Sequence, residues 1–140
     1  MEVQLHDGKR PRVLMAILGL DQHETGALAV TAMLRDAGME VIYLGRFASP
    51  ESVAEAAFEE SADVVGISCH SWEYLHYLDD LVRSLERSGE RIPLMMGGSV
   101  ISPSDCARLL EKGVAAVFGA GAAGDDIVAM VRRLAAEGAS

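Results

Sequence analysis

A carboxylate and an imidazole lie two residues apart in the segment Asp21-Gln22-His23-Glu24-Thr25-Gly26. An apolar run at Val13–Gly19, which predicts a buried strand, precedes this segment, and an apolar-faced helix predicted from about Thr25 to Ala37 follows it. A neutral imidazole is a common metal ligand, and a carboxylate that accepts its other N–H fixes the tautomer and raises its basicity. His23, with Asp21 behind it, is therefore a candidate ligand for a metal centre.

The composition indicates a single domain with an aliphatic core. The chain has 140 residues, of which half are hydrophobic and only 5% aromatic, and this length is enough to bury a sizeable core. The formal net charge of −9 argues against nucleic acid or an anionic membrane surface as a partner. We expect residues 1–10 to be a polar tail without a signal-peptide core, and residues 11–137 to be the domain.

Cysteine usage and hydropathy favour a cytoplasmic location. Cys69 and Cys106 form no disulfide framework and no zinc-site spacing, so a reducing compartment is expected. No apolar run approaches the roughly 18 residues of a membrane span.

Strand-like and helix-like segments alternate along the whole chain. Strands are predicted at Arg12–Gly19, Glu40–Leu44, Asp63–Cys69, Ile92–Met96 and Val114–Phe118. Helices are predicted at about 25–37, 50–60, 72–88, 103–112 and 123–136. The residues expected on buried helix faces include Leu28, Met33 and Leu34 in the first helix and Leu75, Leu78, Val82 and Leu85 in the third. Strict alternation predicts an α/β fold, a flavodoxin-like (Rossmann-type) five-stranded parallel sheet of order 2-1-3-4-5 with helices on both faces.

In such a sheet ligands bind outside the carboxyl ends of the strands, where the candidate metal ligand and several small residues are expected to meet. These small residues are Gly26, Ser68, Gly97, Gly98, Gly119 and Gly121. Glycines let the backbone approach a ligand closely, which predicts a slot for a flat or extended group, and the Ser68 hydroxyl can donate to a ring nitrogen. Zinc sites take three or four protein ligands, so a single histidine beside a slot better suits a metal that arrives inside a macrocycle.

Three motifs resemble those of the cobalamin-binding domains of mutases and methyltransferases. They are Asp21-Gln22-His23-Glu24-Thr25-Gly26, Ser68-Cys69-His70 and Gly97-Gly98, with 41 and 26 residues between them. The resemblance extends from residue 11 to about 137. It is closest to the C-terminal domain of methylmalonyl-CoA mutase and to the free-standing small subunits of acyl-CoA mutases, notably at Ala115–Gly119.

This resemblance implies base-off binding of cobalamin, most simply adenosylcobalamin, with His23 as the lower axial ligand of cobalt and Asp21 hydrogen-bonded to its far nitrogen. The nucleotide tail would then enter the slot at Ser68, Gly97, Gly98 and Gly119–Gly121. The chain would be the small subunit of an adenosylcobalamin-dependent acyl-CoA mutase, a radical carbon-skeleton isomerase. Its partner would be a large TIM-barrel subunit that binds the acyl-CoA. Whether two copies of this chain also form a homodimer is left open.

Two positions depart from the family pattern. His70 stands where leucine is usual, and it either hydrogen-bonds the tail, faces solvent, or accompanies a modified tail or altered ligation. Ile17 stands four residues before Asp21, where the acyl-CoA mutases tend to carry a lysine. Alternative functions are a cobalamin carrier or sensor without an isomerase partner and a corrinoid methyl-carrier. A response-regulator domain shares the fold but needs a phosphorylatable aspartate at the end of the third strand, where this chain has Ser68-Cys69-His70.

Overall fold

The computed structural model describes residues 10–19, 24–69, 73–119 and 121–139. Strands and helices alternate along the main sheet, as the sequence predicts. The elements in chain order are β1 (Arg12–Leu18), α1 (Thr25–Asp36), β2 (Glu40–Ala48), α2 (Pro50–Glu59), β3 (Val64–Ser68), α3 (Glu73–Ser84), β4 (Glu86–Arg87), β5 (Glu90–Arg91), β6 (Leu94–Gly97), α4 (Pro103–Glu111), β7 (Ala116–Phe118) and α5 (Gly124–Ala139). Within the described residues, no helix is both long and apolar enough to cross a membrane.

The main sheet has five parallel strands in the order β2-β1-β3-β6-β7. When the short strands β4 and β5 are set aside, this is the predicted order 2-1-3-4-5. The central strands are apolar on both faces, because helices cover both: β1 is buried from Val13 to Leu18 and β3 over its whole length. The predicted fold class is confirmed.

Two apolar clusters lie on opposite faces of the sheet. Alternate residues of β1 belong to different clusters, because successive side chains of a strand point to opposite sides. Val13 and Met15 pack with residues of α1 and α5, such as Leu34 and Val131. The other cluster includes Leu14 and residues of α2, α3 and α4. Helices α1 and α5 therefore cover one face, and α2, α3 and α4 cover the other.

Two helix faces differ from their predicted composition. In α1 the buried residues are Ala27, Thr31 and Leu34, while the predicted Leu28 is 47% exposed. In α3 the buried residues are Tyr74, Leu78 and Leu81, while Leu75 is 47% exposed. The prediction is wrong for one leucine in each helix. The buried face begins one residue earlier, at Ala27 in α1 and at Tyr74 in α3.

The third helix ends at Ser84 rather than at the predicted Ser88. A two-stranded antiparallel hairpin, formed by β4 and β5, follows it. Its two turn residues, Ser88 and Gly89, have φ values of 54° and 84°, the left-handed values that a tight two-residue hairpin turn requires. The Ser-Gly pair therefore makes a hairpin turn instead of closing the helix.

The second strand is longer and less regular than predicted, since it extends from Glu40 to Ala48 rather than to Leu44. Its pairing with β1 shifts register twice, so that Met15 pairs with Tyr43 but Ala16 pairs with Gly45. Such bulges bend a strand and change the direction of its side chains.

Close backbone contacts join the ends of β3, β6 and β7. The Cys69 N–H donates to the Gly97 carbonyl over 2.7 Å, and the Gly98 N–H donates to the Phe118 carbonyl over 3.1 Å. Gly98 has φ 152°, and a Cβ atom placed on it would overlap the backbone carbonyl of Cys69. Glycine is therefore required at this position by both the dihedral angle and the space.

We predict that Gly98→Ala lowers the free energy of unfolding by more than about 3 kcal/mol, because the backbone of Cys69 must move. Gly38→Ala is the matched control: Gly38 also has a positive φ, 92°, but nothing lies within 4 Å of an added Cβ. This control is expected to cost only about 1–2 kcal/mol. Urea unfolding of both variants measures the difference, and equal losses would contradict the account of this contact.

Candidate cofactor-binding site

The small residues predicted to meet at the carboxyl edge of the sheet do meet there, around one cavity of about 440 Å³. Those lining it are Gly26, Ser68, Gly97, Gly98, Gly119 and Gly121. They come from the start of α1 and from the ends of β3, β6 and β7, which are distant in sequence. Parallel strands bring these ends to one edge, and the cavity volume is in the range of small-ligand sites.

The cavity lies between α1 and α5 and has an apolar lining. Met15 and Met95 of the sheet and Met33 of α1 contribute thioether side chains, and Phe118 and Ile127 complete the side nearest α5. Methionine side chains are flexible and polarizable, and they make favourable contacts with aromatic rings. The lining therefore suits a flat apolar ring.

Two glycines lie against methionine side chains of this lining. A Cβ atom on Gly66 would lie 2.6 Å from the sulfur of Met15, and one on Gly124 would lie 2.7 Å from the sulfur of Met33. Both distances are shorter than any ordinary van der Waals contact. Met15 therefore occupies the space that a side chain at position 66 would need, and Met33 occupies the space that a side chain at position 124 would need.

Polar side chains are few around the cavity. Among its described lining residues only Ser68 and Ser99 carry a polar side-chain atom. Ser68 is the last residue of β3 and is 9% exposed, so its hydroxyl is held by a central strand. A buried hydroxyl in an apolar slot can orient a ligand that offers one acceptor.

The predicted metal-ligand segment and one further predicted residue, Asp21, Gln22, His23 and His70, lie outside the described residues. The structure describes the residues on either side of residues 20–23. These are Gly19, after β1, and Glu24, before α1. The Gly19 N–H donates to the Ala48 carbonyl over 2.9 Å. Gly26 lines the cavity, so the segment that carries His23 joins α1 within one turn of the cavity wall. Among the residues that the structure describes, no three His, Cys, Asp or Glu side chains form a metal-binding group.

The structure adds a polar cluster that the sequence analysis missed. The Tyr43 hydroxyl donates to Glu24 Oε2 over 2.5 Å, and the Arg46 Nε lies 3.4 Å from Glu24 Oε1. Burial, then the hydrogen bond to Glu24, raises the pKa of Tyr43 from its ordinary value of 10.0 to about 12. The phenol is protonated at neutral pH with either value, and the bond to Glu24 favours this protonated, donating form. The position of Glu24 directly after His23 was the available signal, but nothing in the sequence indicated its partners.

Ile17, which stands where the family resemblance led us to expect a lysine, is fully buried in β1. An uncharged residue fits this position because the strand lies in the interior of the sheet. Cys69 is also buried, at 1% exposure, and it packs in the core as a small residue.

Comparisons with known proteins agree with these observations. The sequence profile of the B12 binding domain family matches residues 11–129. The pivalyl-CoA mutase small subunit of Xanthobacter autotrophicus is 38% identical over 131 residues, which are 93% of this chain and 88% of that protein. The 2-hydroxyisobutanoyl-CoA mutase small subunit of Aquincola tertiaricarbonis is 37% identical over 107 residues, 76% of this chain and 79% of that protein. Methylmalonyl-CoA mutase of Escherichia coli is 36% identical over 115 residues, 82% of this chain but only 16% of that enzyme.

Solved structures confirm the fold. A cobalamin-binding protein from Desulfitobacterium hafniense aligns with a TM-score of 0.76 at 23% identity, covering 90% of this chain and 60% of that one. The receiver domain of the Francisella response regulator 1452 aligns with a TM-score of 0.69 at 17% identity, covering 91% of this chain and 98% of that one. At these identities the likeness shows the shared fold alone, so the residues at the carboxyl edge must distinguish the two classes.

Ser68 and the buried Cys69 occupy the end of β3, where a receiver domain needs an aspartate. The glycines of the B12-binding motifs line the cavity beside them. Since the family profile covers most of the chain, and relatives above 30% identity align with more than two thirds of it, the chain belongs to the B12 binding domain family.

Proposed function

We propose that this chain is the cobalamin-binding small subunit of an adenosylcobalamin-dependent acyl-CoA mutase, and that it binds the cofactor base-off with His23 as the lower axial ligand. The observation that carries the proposal is the apolar cavity of about 440 Å³ at the carboxyl edge of the sheet. Every described residue of the predicted cofactor site borders this cavity.

Family membership gives the class of cofactor, cobalamin. The small subunits of pivalyl-CoA mutase and 2-hydroxyisobutanoyl-CoA mutase are matched over most of their length, which supports the small-subunit assignment. Because these relatives are small subunits, a separate large TIM-barrel subunit would bind the acyl-CoA in this proposal. The predicted absence of nucleic acid and membrane partners, the homodimer and the cytoplasmic location stay predictions.

The cavity has the properties that the nucleotide tail of base-off cobalamin requires. Its lining is apolar, as a benzimidazole ring requires, and Ser68 offers one hydroxyl to a ring nitrogen. Gly97 and Gly98 allow the backbone to lie against the ligand without side chains between them. In this proposal Gly26, Gly119 and Gly121, which also line the cavity, have the same role, and His70 lies beside the tail.

His23 would hold the cobalt, and Asp21 would accept the N–H of the opposite ring nitrogen and so keep the coordinating nitrogen unprotonated. The corrin cofactor supplies the radical chemistry once it is bound. The residues of this chain bind the tail, orient the imidazole and exclude water from the slot.

We expect His23→Ala to weaken cobalamin binding more than about a hundredfold and to remove the base-off, histidine-coordinated species, because the axial ligand is gone. Titration with cob(II)alamin, followed by absorption and electron paramagnetic resonance, measures both effects. His76→Ala is the matched control, since His76 is an exposed histidine on α3. A base-off, histidine-coordinated spectrum that survives in His23→Ala would contradict the axial-ligand assignment.

We expect Ala29→Trp to weaken cobalamin binding at least about tenfold, because Ala29 lines the cavity and a large side chain would enter the slot. Ala29 is exposed on α1, so the fold should tolerate the change. The control is Ala107→Trp. Ala107 is also exposed, and it lies on α4, which covers the opposite face of the sheet. Titration with adenosylcobalamin and thermal unfolding test the pair, and equal affinities of the two variants would argue against the cavity as the tail site.

A further inference from the structure

Glu24 is held by two residues of the neighbouring strand. Its carboxylate accepts a hydrogen bond from the Tyr43 hydroxyl over 2.5 Å and lies 3.4 Å from the Arg46 Nε. We name these three residues the Glu24 anchor. The anchor joins the start of α1 to the end of β2, and Glu24 is the first described residue after the segment that contains His23.

The side chain of Glu24 does not cap the helix that it precedes. Glu24 occupies the N-cap position of α1, and its carbonyl accepts the first helical hydrogen bond, from the Leu28 N–H at 2.9 Å, but its side chain makes no cap hydrogen bond. By contrast, Ser49 and Ser102 cap α2 and α4 with their hydroxyls. A cap ordinarily stabilises a helix. At α1 this stabilisation is replaced by a contact between the helix start and the sheet.

The backbone of β2 is distorted where it forms the anchor. In a regular strand, Tyr43 and Arg46 are three residues apart and face opposite sides of the sheet. Here a register shift and the positive φ angle of Gly45 (88°) lie between the two residues, and both side chains reach one carboxylate. The next residue after Arg46, Phe47, also has a positive φ angle (68°). Such dihedral angles are unfavourable for a residue like Phe47, and they persist only where other contacts impose them. The guanidinium carbon of Arg46 lies 5.1 Å from the centre of the Phe47 ring, which is one such contact.

The hydrogen bond of Glu24 to Tyr43 and its ion pair with Arg46 differ in strength. Tyr43 is partly buried against the core between the sheet and α1, and its bond to a carboxylate is short and charge-assisted. The side chains of Arg46 and Glu24 are 39% and 33% exposed, so water weakens their ion pair. Tyr43 should therefore contribute most to the anchor.

We propose that Tyr43 and Arg46 are positioning residues that fix Glu24, and with it the end of the segment that presents His23 to cobalt. The part that concerns cobalt rests on the proposed function. The part that concerns the segment holds for the protein without cofactor, and it can be tested there. No contact between the anchor and the cofactor is required.

The test compares Tyr43→Phe, Glu24→Gln and Arg46→Met with a control on the same strand. The control is Glu40→Gln, which removes the ion pair of Arg12 and Glu40, 3.2 Å apart, at the opposite end of β2. Tyr43→Phe should lower cobalamin affinity about tenfold and reduce the histidine-coordinated fraction of bound cob(II)alamin. Glu24→Gln keeps an acceptor for Tyr43, so its affinity and its histidine-coordinated fraction should lie between those of Tyr43→Phe and the wild type. The same intermediate values are expected for Arg46→Met. Glu40→Gln should match the wild type in both.

Hydrogen exchange of the cofactor-free protein provides the second measurement. Amides in the peptide spanning residues 19–27 should exchange several-fold faster in Tyr43→Phe than in the wild type or in Glu40→Gln. Unchanged exchange together with an unchanged histidine-coordinated fraction would overturn the proposal. A lower melting temperature without a change in either readout would assign these residues to stability alone and would overturn it equally.

Failure of the proposed function gives a different result. If the wild-type protein bound no cobalamin, the proposed function and the cobalt part of this inference would both fall. Faster exchange of the 19–27 peptide in Tyr43→Phe would still establish the anchor, and unchanged exchange would remove it.

Discussion

The strand order places the helices that follow β1 and β3 on opposite faces of the sheet, and the candidate site depends on this constraint. Helix α1 packs on one face with α5, whereas α3 packs on the other with α2 and α4. The chain thus diverges at the carboxyl ends of two adjacent strands, and a crevice opens there without any special residue. Residues 20–23 and 70–72 connect these strands to their helices, so the two histidines of interest belong to the connections at this point.

Beside this crevice, small side chains leave a slot between the sheet, α1 and α5. At the ends of β6 and β7, Gly97, Gly98 and Gly119 line the cavity, and any larger residue at Gly98 would overlap the neighbouring strand end. Methionines supply an adaptable apolar lining where the glycines leave space, as the sulfur of Met15 does against Gly66. A receiver domain shares this fold, so the residues of the site, and not the fold, indicate the function.

The sequence predicts the parts of this arrangement that depend on regular geometry. Parallel strands place all their carboxyl ends at one edge, so the convergence of Gly26, Ser68 and Gly97 around one cavity follows from their positions after predicted elements. Irregular geometry is not predictable in this way. The meeting of Tyr43 and Arg46 at Glu24 departs from regular alternation along a strand, and the register of β2 shifts between these two residues. The exposure of Leu28 likewise depends on how α1 is rotated against the sheet, a choice that several neighbouring apolar positions leave open.

The most direct test of the central claim is the source of the axial nitrogen on cobalt. Protein in which every histidine carries ¹⁵N would be loaded with unlabelled cob(II)alamin, freed of unbound cofactor and examined by electron paramagnetic resonance. Coordination by a histidine of this chain predicts that each cobalt line is split into a doublet by ¹⁵N, where the unlabelled protein gives a triplet. A triplet that persists in the labelled protein would show that the cofactor's own benzimidazole remains bound to cobalt, and it would contradict base-off binding through His23.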